Sequence, residues 1–166
     1  MWQGKAWLGG AWLGKARRGF MKKGNRHGFC EKQVMDVVRD AVRYDNNIIL
    51  YRVNVGARKI GNRFIRFGEP GMSDFTGIIR ELRCPICRGL TGAGVRLEIE
   101  CKAPDGQLTD AQKNWIETIK RMNGIAVIFR PKSIDDLFYH RVKAFLDKEI
   151  YRPCSNCEKL TGDTKN

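Results

Sequence analysis

From Glu31 to Arg43 the apolar residues fall at Val34, Val37, Val38, Ala41 and Val42, a stripe with the period of an α-helix, and Asp45-Asn46-Asn47 ends it. IILYRVNVG (48–56) is rich in β-branched and aromatic residues and predicts a strand; RFIRF (63–67) predicts a second, joined to it through the turn region from Gly56 to Gly61. GEPGMSD (68–74) reads as a loop, and DFTGIIREL begins a further strand at about Phe75. VRLEIEC (95–101) has the clearest alternation in the chain: Val95, Leu97, Ile99 and Cys101 face one way, toward a core, while charged residues take the other side. After the APDG turn, Thr109 caps a helix running to about Met122, with Asn123-Gly124 as its stop. GIAVIFR predicts a buried strand. Ser133 caps a last helix, with Asp135 and Asp136 in its first turn, that runs through Phe138, Val142, Phe145 and Leu146. The order α-β-β-β-β-α-β-α predicts an α/β fold, a mixed sheet flanked by helices.

A chain of 166 residues suits one well-filled domain with appendages, so any active site shares that domain's core. With 42% hydrophobic and 30% charged residues, and no apolar run long enough to span a bilayer, it fits a soluble globular protein. Net charge changes the picture. The chain carries +13, which makes a polyanion the economical partner, because each phosphate neutralised by Lys or Arg releases condensed counterions. The excess is uneven: residues 1–29 hold seven basic residues and no acid, leaving +6 for the rest. That first segment places Trp2, Trp7 and Trp12 at a five-residue period among seven glycines, a period that matches neither helix nor strand. It predicts a basic Gly/Trp-rich flexible arm, either adding nucleic-acid contacts through cations and stacking tryptophans or serving as a dispensable extension.

The charged side of the strand RLEIECK (96–102) raises a chemical question. Residues two apart on a strand sit ~6.5–7 Å from each other on one face, so Glu100 and Lys102 project side by side with Glu98 one step behind. A carboxylate and an ammonium so placed can hold a divalent cation and orient a water beside it. Hard cations prefer several oxygens, and Asp74, at the start of the neighbouring predicted strand, is the second ligand. The same alternation also describes the wet face of an antiparallel strand. Context separates the two: Asp74 follows a loop with two glycines and a proline, GEPGMSD, and the helix after the E-x-K strand carries Gln112 in its first turn. Thr109-x-x-Gln112 is also a capping box, Glu31 also suits a helix N-terminus, and Glu98 reads as a solvated or supporting residue.

GEPGMSDFTG followed by RLEIECKAPDGQLTDAQKNWIETIKRMNGIAVIF resembles the VRR-NUC branch of the PD-(D/E)XK nucleases, over about Glu31 to Ser133. The resemblance implies a PD-(D/E)XK nuclease-like sheet flanked by helices over residues 30–150, Mg2+ or Mn2+ at the site, and endonucleolytic hydrolysis of phosphodiester bonds in branched, flapped or four-way junction DNA. It further implies that Asp74, Glu100 and the backbone carbonyl of Cys101 hold the metal, that Lys102 serves the attacking water, and that Gln112 and Glu31 match the family's helix glutamine and first-helix acid. Ser73 stands where the superfamily pattern has proline before the aspartate. Junction resolution needs two cuts, which suits a homodimer. The alternative is a non-catalytic, zinc-containing nucleic-acid-binding module.

That alternative draws on the cysteines. CPICRG (84–89) and CSNC (154–157) each form a turn able to aim two sulfurs at one ion, and four thiolates make a closed, structural zinc site. Cys84 and Cys87 would form a knuckle inserted in the nuclease-like domain, and Cys154 and Cys157 would bring the C-terminal tail, residues 151–166, back to it as a zinc clip. Pairs bridging two subunits and redox-active dithiols are the competing readings. Arg83, Arg88 and Lys159 beside the knuckles are placed to touch phosphate. The metal-type spacing, without a signal peptide pattern, predicts a reducing, cytoplasmic setting.

Overall fold

The computed structural model describes residues 28–162, so the predicted arm, apart from Gly28 and Phe29, lies outside the described residues. The body is mixed α/β. Helix α1 (Glu31–Val42) is followed by β1 (Ile48–Arg52), β2 (Gly56–Ile60), β3 (Arg63–Phe67), β4 (Phe75–Arg83), β5 (Leu90–Cys101), α2 (Asp110–Arg121), β6 (Ile125–Phe129), α3 (Tyr139–Ile150) and α4 (Ser155–Gly162). Four strands form a mixed sheet in the order β1-β4-β5-β6, antiparallel except for the parallel pair β5-β6, which α2 connects.

The alternation along β5 sets the layers. Leu97, Ile99 and Cys101 are buried on the face shared with α1 and α3, where Val34, Val38, Val142, Leu146, Ile150 and Phe29 complete the core. Helix α2 crosses the opposite face over β5 and β6 with Ile116 and Ile119 inward. A sheet covered on both sides has no wet face where α2 lies. Consequently Glu98, Glu100 and Lys102 are all buried, and of the two readings of Glu98, solvated or supporting, the solvated one does not hold: it is 0% exposed. The strand pattern could not reveal the helix lying over it.

Three other expectations are corrected by local geometry. The strand expected over 48–56 ends at Arg52, and the expected turn region is itself mostly strand: β2 pairs with β3 as a separate two-stranded ribbon outside the main sheet. The turn contracts to Gly61-Asn62 between the paired Ile60 and Arg63, with Gly61 at φ 58°, the positive φ that a two-residue hairpin with glycine first requires. Strand β5 starts at Leu90 rather than Val95, extended by its pairing with the far end of β4. Ser133 opens only a short 3-10 turn, Ile134–Leu137, whose start is satisfied by Asp136 Oδ2 accepting from the Lys132 and Ser133 amides at 2.8 and 3.1 Å. Phe138 is extended (ψ 134°), so α3 begins afresh at Tyr139. The tail contains the further helix α4.

Candidate active site and four-cysteine cluster

Asp74 lies one residue before β4, and its Oδ2 accepts a hydrogen bond from the Cys101 amide at 2.8 Å. The next amide, Lys102 N–H, points the other way, to the carbonyl of Phe129 at 3.0 Å. Because the N–H and C=O of one strand residue point to the same side, the Cys101 carbonyl is directed toward the Asp74 side as well. The loop before Asp74 is pressed onto α2. A Cβ on Gly71 would lie 2.2 Å from the carbonyl oxygen of Ala111, and Gly71 sits at φ 90°, so glycine is required there twice over. This contact sets the first turn of α2 beside the strand ends that carry the acids.

Gln112 connects the two elements. Its backbone N–H donates to Thr109 Oγ1 at 3.2 Å, and its Oε1 accepts from the Thr109 amide at 3.0 Å, completing the predicted capping box. Its Nε2 donates to Glu100 Oε1 at 2.5 Å. The capping box is therefore present, and the other end of the same amide holds an acid.

Glu100 is 1% exposed. Lys102 Nζ stands 2.6 Å from its Oε1 and 3.9 Å from Glu31 Oε2 at the start of α1. The structure thus brings Glu31, Glu100, Lys102 and Gln112 together, with Asp74 close enough for its charge to act on both members of the Glu100–Lys102 pair. Burial, assisted by the negative charge of Asp74, raises the Glu100 pKa even though Lys102 pulls it down. Burial pulls the Lys102 ammonium down, but its bond to Glu100 and the fields of Glu100, Glu31 and Asp74 outweigh that and hold its pKa above the ordinary value. Among the described residues, three carboxylates thus face one ammonium.

The two glutamates on this face have opposite environments. Glu98 Oε1 accepts from Thr76 Oγ1 at 2.8 Å and from Arg96 at 2.8 and 2.9 Å, and its Oε2 accepts from Trp115 Nε1 at 3.2 Å, with Arg96 also over the Trp115 ring. Every oxygen of Glu98 is accounted for. Glu100 Oε2 is fully buried and has no hydrogen-bond partner among the described residues. Burying a charged oxygen without a partner is costly, which leaves Glu100 as the acid with unused coordination capacity. Oxygen donors with an excess of negative charge suit a hard divalent cation. The network around Glu98 escaped the sequence reading; its signal was that Gln112, Trp115, Ile116 and Ile119 follow the i, i+3, i+4, i+7 spacing of one helix face.

At the opposite end of β4, the four cysteines converge as expected. The Sγ atoms of Cys84, Cys87, Cys154 and Cys157 all lie within 4.8 Å of one another, and could hold a metal ion such as zinc. The Cys87–Cys154 separation is 3.8 Å, matching the ~3.8 Å edge of a tetrahedron with zinc–sulfur bonds of about 2.3 Å. The knuckle between β4 and β5 closes through Cys84 N–H to Gly89 O (2.9 Å) and Arg88 N–H to Cys84 O (3.0 Å), with Arg88 at φ 62°. Cys84 Sγ accepts the Cys154 amide at 3.4 Å. That bond, with further amides of Cys87 and Ile86, lowers the Cys84 pKa to about 6, while the neighbouring Cys154 thiol and burial push Cys157 up to about 12. Cys101 is far from this cluster in the fold, buried under the sheet, where burial raises its pKa.

No protein-family model matches the chain, and a search of the curated proteins returns no match. Among the described residues, no helix is long and apolar enough to cross a membrane.

Proposed function

We propose that the protein is a divalent-metal-dependent DNA endonuclease with a PD-(D/E)XK-type core. The observation that carries this reading is the buried, half-satisfied Glu100: one oxygen is held by Gln112 and Lys102, and the other is without a partner among the described residues, within the field of Asp74. Asp74, Glu100 and the Cys101 carbonyl would hold Mg2+ or Mn2+, which when bound supplies Lewis-acid stabilisation of the phosphate and acidifies a coordinated water. Gln112 fixes the Glu100 carboxylate, so that its free oxygen keeps one direction. Lys102, anchored to Glu100 and Glu31, presents its remaining N–H donors to the attacking water and to the charge that develops on phosphorus. Glu100, with Glu31 adding to its field, favours the Lys102 ammonium, and Glu31 opposes its withdrawal from the site.

The four cysteines would bind a structural Zn2+ that fastens α4 to the β4–β5 knuckle, consistent with a reducing, intracellular setting. The substrate would be branched, flapped or four-way junction DNA, the last requiring two sites and hence a homodimer. The cysteine cluster and the basic excess also favour a second reading, a non-catalytic zinc-containing nucleic-acid-binding module.

A panel of branched and linear DNAs incubated with Mg2+ or Mn2+ distinguishes these. The nuclease reading expects metal-dependent products that fall at least about a hundredfold with Glu100→Ala or Lys102→Ala, while DNA binding and folding persist. Binding without products from the wild-type protein in either metal would leave only the second reading.

A further inference from the structure

The β2–β3 ribbon takes no part in the site just described, and its composition is unlike that of the rest of the body. Between Asp45 and Glu69 the chain has no acid and five basic residues, four of which, Arg58, Lys59, Arg63 and Arg66, lie on the ribbon. All ten strand residues are exposed, so neither face packs on the domain. The register interleaves charge with apolar surface: Arg58 lies opposite Ile65, Lys59 opposite Phe64, Ile60 opposite Arg63 and Ala57 opposite Arg66. Directly opposite residues share a face, so each face carries two cations flanked by apolar groups. Lys59 and Arg66 share theirs with Phe64, which is 68% exposed. Among the described residues, none of the four cations has an ion-pair partner.

The ribbon is rooted at the candidate site. The segment leading into it is tied by the Val53 amide to the carbonyl of Asp74 at 2.8 Å, and its exit runs through Gly68 and Gly71, the latter packed on the first turn of α2 next to Gln112. A free-standing two-stranded hairpin has little stability of its own in water, and this one leaves apolar side chains in solvent at the rim of an acidic site. Acid-free charge with interleaved aromatic surface is complementary to nucleic acid rather than to a second copy of this ribbon, which would bring cations against cations.

We propose that the β2–β3 ribbon is a DNA-gripping element that seats in the groove of a duplex arm flanking the cut phosphodiester, with Arg58, Lys59, Arg63 and Arg66 on phosphates and Phe64 against the sugar-base edge. A two-stranded ribbon matches the width of the major groove. The orientation over Asp74 rests on the nuclease reading; duplex binding by the ribbon does not. The full chain carrying Arg58→Ala, Lys59→Ala, Arg63→Ala and Arg66→Ala is compared with wild type for binding to a fluorescent duplex across a salt series, and for single-turnover cleavage at limiting and saturating branched DNA. A remote control carries Lys120→Ala, Arg121→Ala and Lys148→Ala, and melting curves verify folding.

The ribbon variant should bind duplex at least tenfold more weakly, with the slope of log K against log salt reduced by about 3 to 4, or about 0.9 per lost phosphate contact. Phe64→Ala should weaken binding with the slope unchanged. Single-turnover cleavage, read at limiting as well as saturating DNA, should fall at limiting DNA in step with the affinity, since these phosphate contacts position the DNA. Unchanged duplex affinity and slope in the ribbon variant would overturn the proposal. So would an equal loss in the remote control, a loss confined to single-stranded DNA, or a change in oligomeric state that accounts for the lost binding. A ribbon-dependent salt slope in a wild-type protein that never cleaves would sustain the ribbon and remove the nuclease reading.

Discussion

Replacing Lys102 by methionine removes the ammonium held among Glu31, Asp74 and Glu100 while keeping the length of the side chain. Lys102 is 2.6 Å from Glu100 Oε1, and the two side chains are 9% and 1% exposed. Breaking a fully buried pair by removing one partner costs about 3–5 kcal/mol. Glu31, which shares the Lys102 ammonium, is half exposed, so screening reduces the cost to about 2–3 kcal/mol. The loss should depend on pH in a defined direction. Glu100 already has a folded-state pKa above the ordinary carboxylate range, so its charge opposes folding once pH rises through that raised value, and protonation removes the penalty as pH falls toward the ordinary range. Without Lys102, which pulls this pKa down, the penalty at neutral pH grows and extends higher. Urea unfolding of Lys102→Met and wild type with EDTA, from about pH 5 to about pH 8, should therefore show a stability gap that widens with pH. Adding Mg2+ should narrow the gap by supplying the missing positive charge. A gap below about 1 kcal/mol, or one of constant size across that range, would refute the electrostatic account.

Gln112→Ala should cost about 1 kcal/mol of stability through the lost cap and also reduce cleavage, whereas Thr109→Ala should cost about as much stability and leave cleavage near wild type; paired melting and cleavage assays separate capping from the hold on Glu100. Native mass spectrometry should find one zinc per chain, lost on Cys154→Ser or Cys84→Ser but retained on Cys101→Ser, and protease should then cut the α4 tail of the zinc-free protein first. Gly71→Ala should destabilise by more than the ~1 kcal/mol of an ordinary positive-φ substitution, because its new methyl group meets the Ala111 carbonyl. A melting temperature within about a degree of wild type would contradict the close contact that seats α2 beside the site.

Local pattern sufficed for elements whose neighbours agree with it. The stripe from Val34 to Val42, the cap at Thr109, and the inward set Leu97, Ile99 and Cys101 follow from periodicity and short-range hydrogen bonding, and all appear in the fold. The same reasoning failed at Glu98. Outward alternation on a strand means solvent only if nothing covers the strand, and α2 covers β5. It also failed at Gly56–Ile60, since five residues opening on a glycine and holding two adjacent cations carry no strand signal until RFIRF folds back across Gly61-Asn62 to pair with them.

The candidate site divides the same way. Residue type and order were enough to single out Asp74, Glu100, Lys102 and Gln112, and to pair the C-x-x-C turns across 66 intervening residues, whereas Glu31 entered only through the family resemblance. Which of the two glutamates keeps unused coordination capacity could not be read from RLEIECK, where both occupy equivalent positions on one face. Tertiary structure decided it: Thr76 from β4 and Trp115 from α2, with Arg96, satisfy Glu98 completely, while Gln112 and Lys102 engage only one oxygen of Glu100. A sequence specifies which groups are present, but the coordination capacity left on a carboxylate depends on what neighbouring elements bring to it.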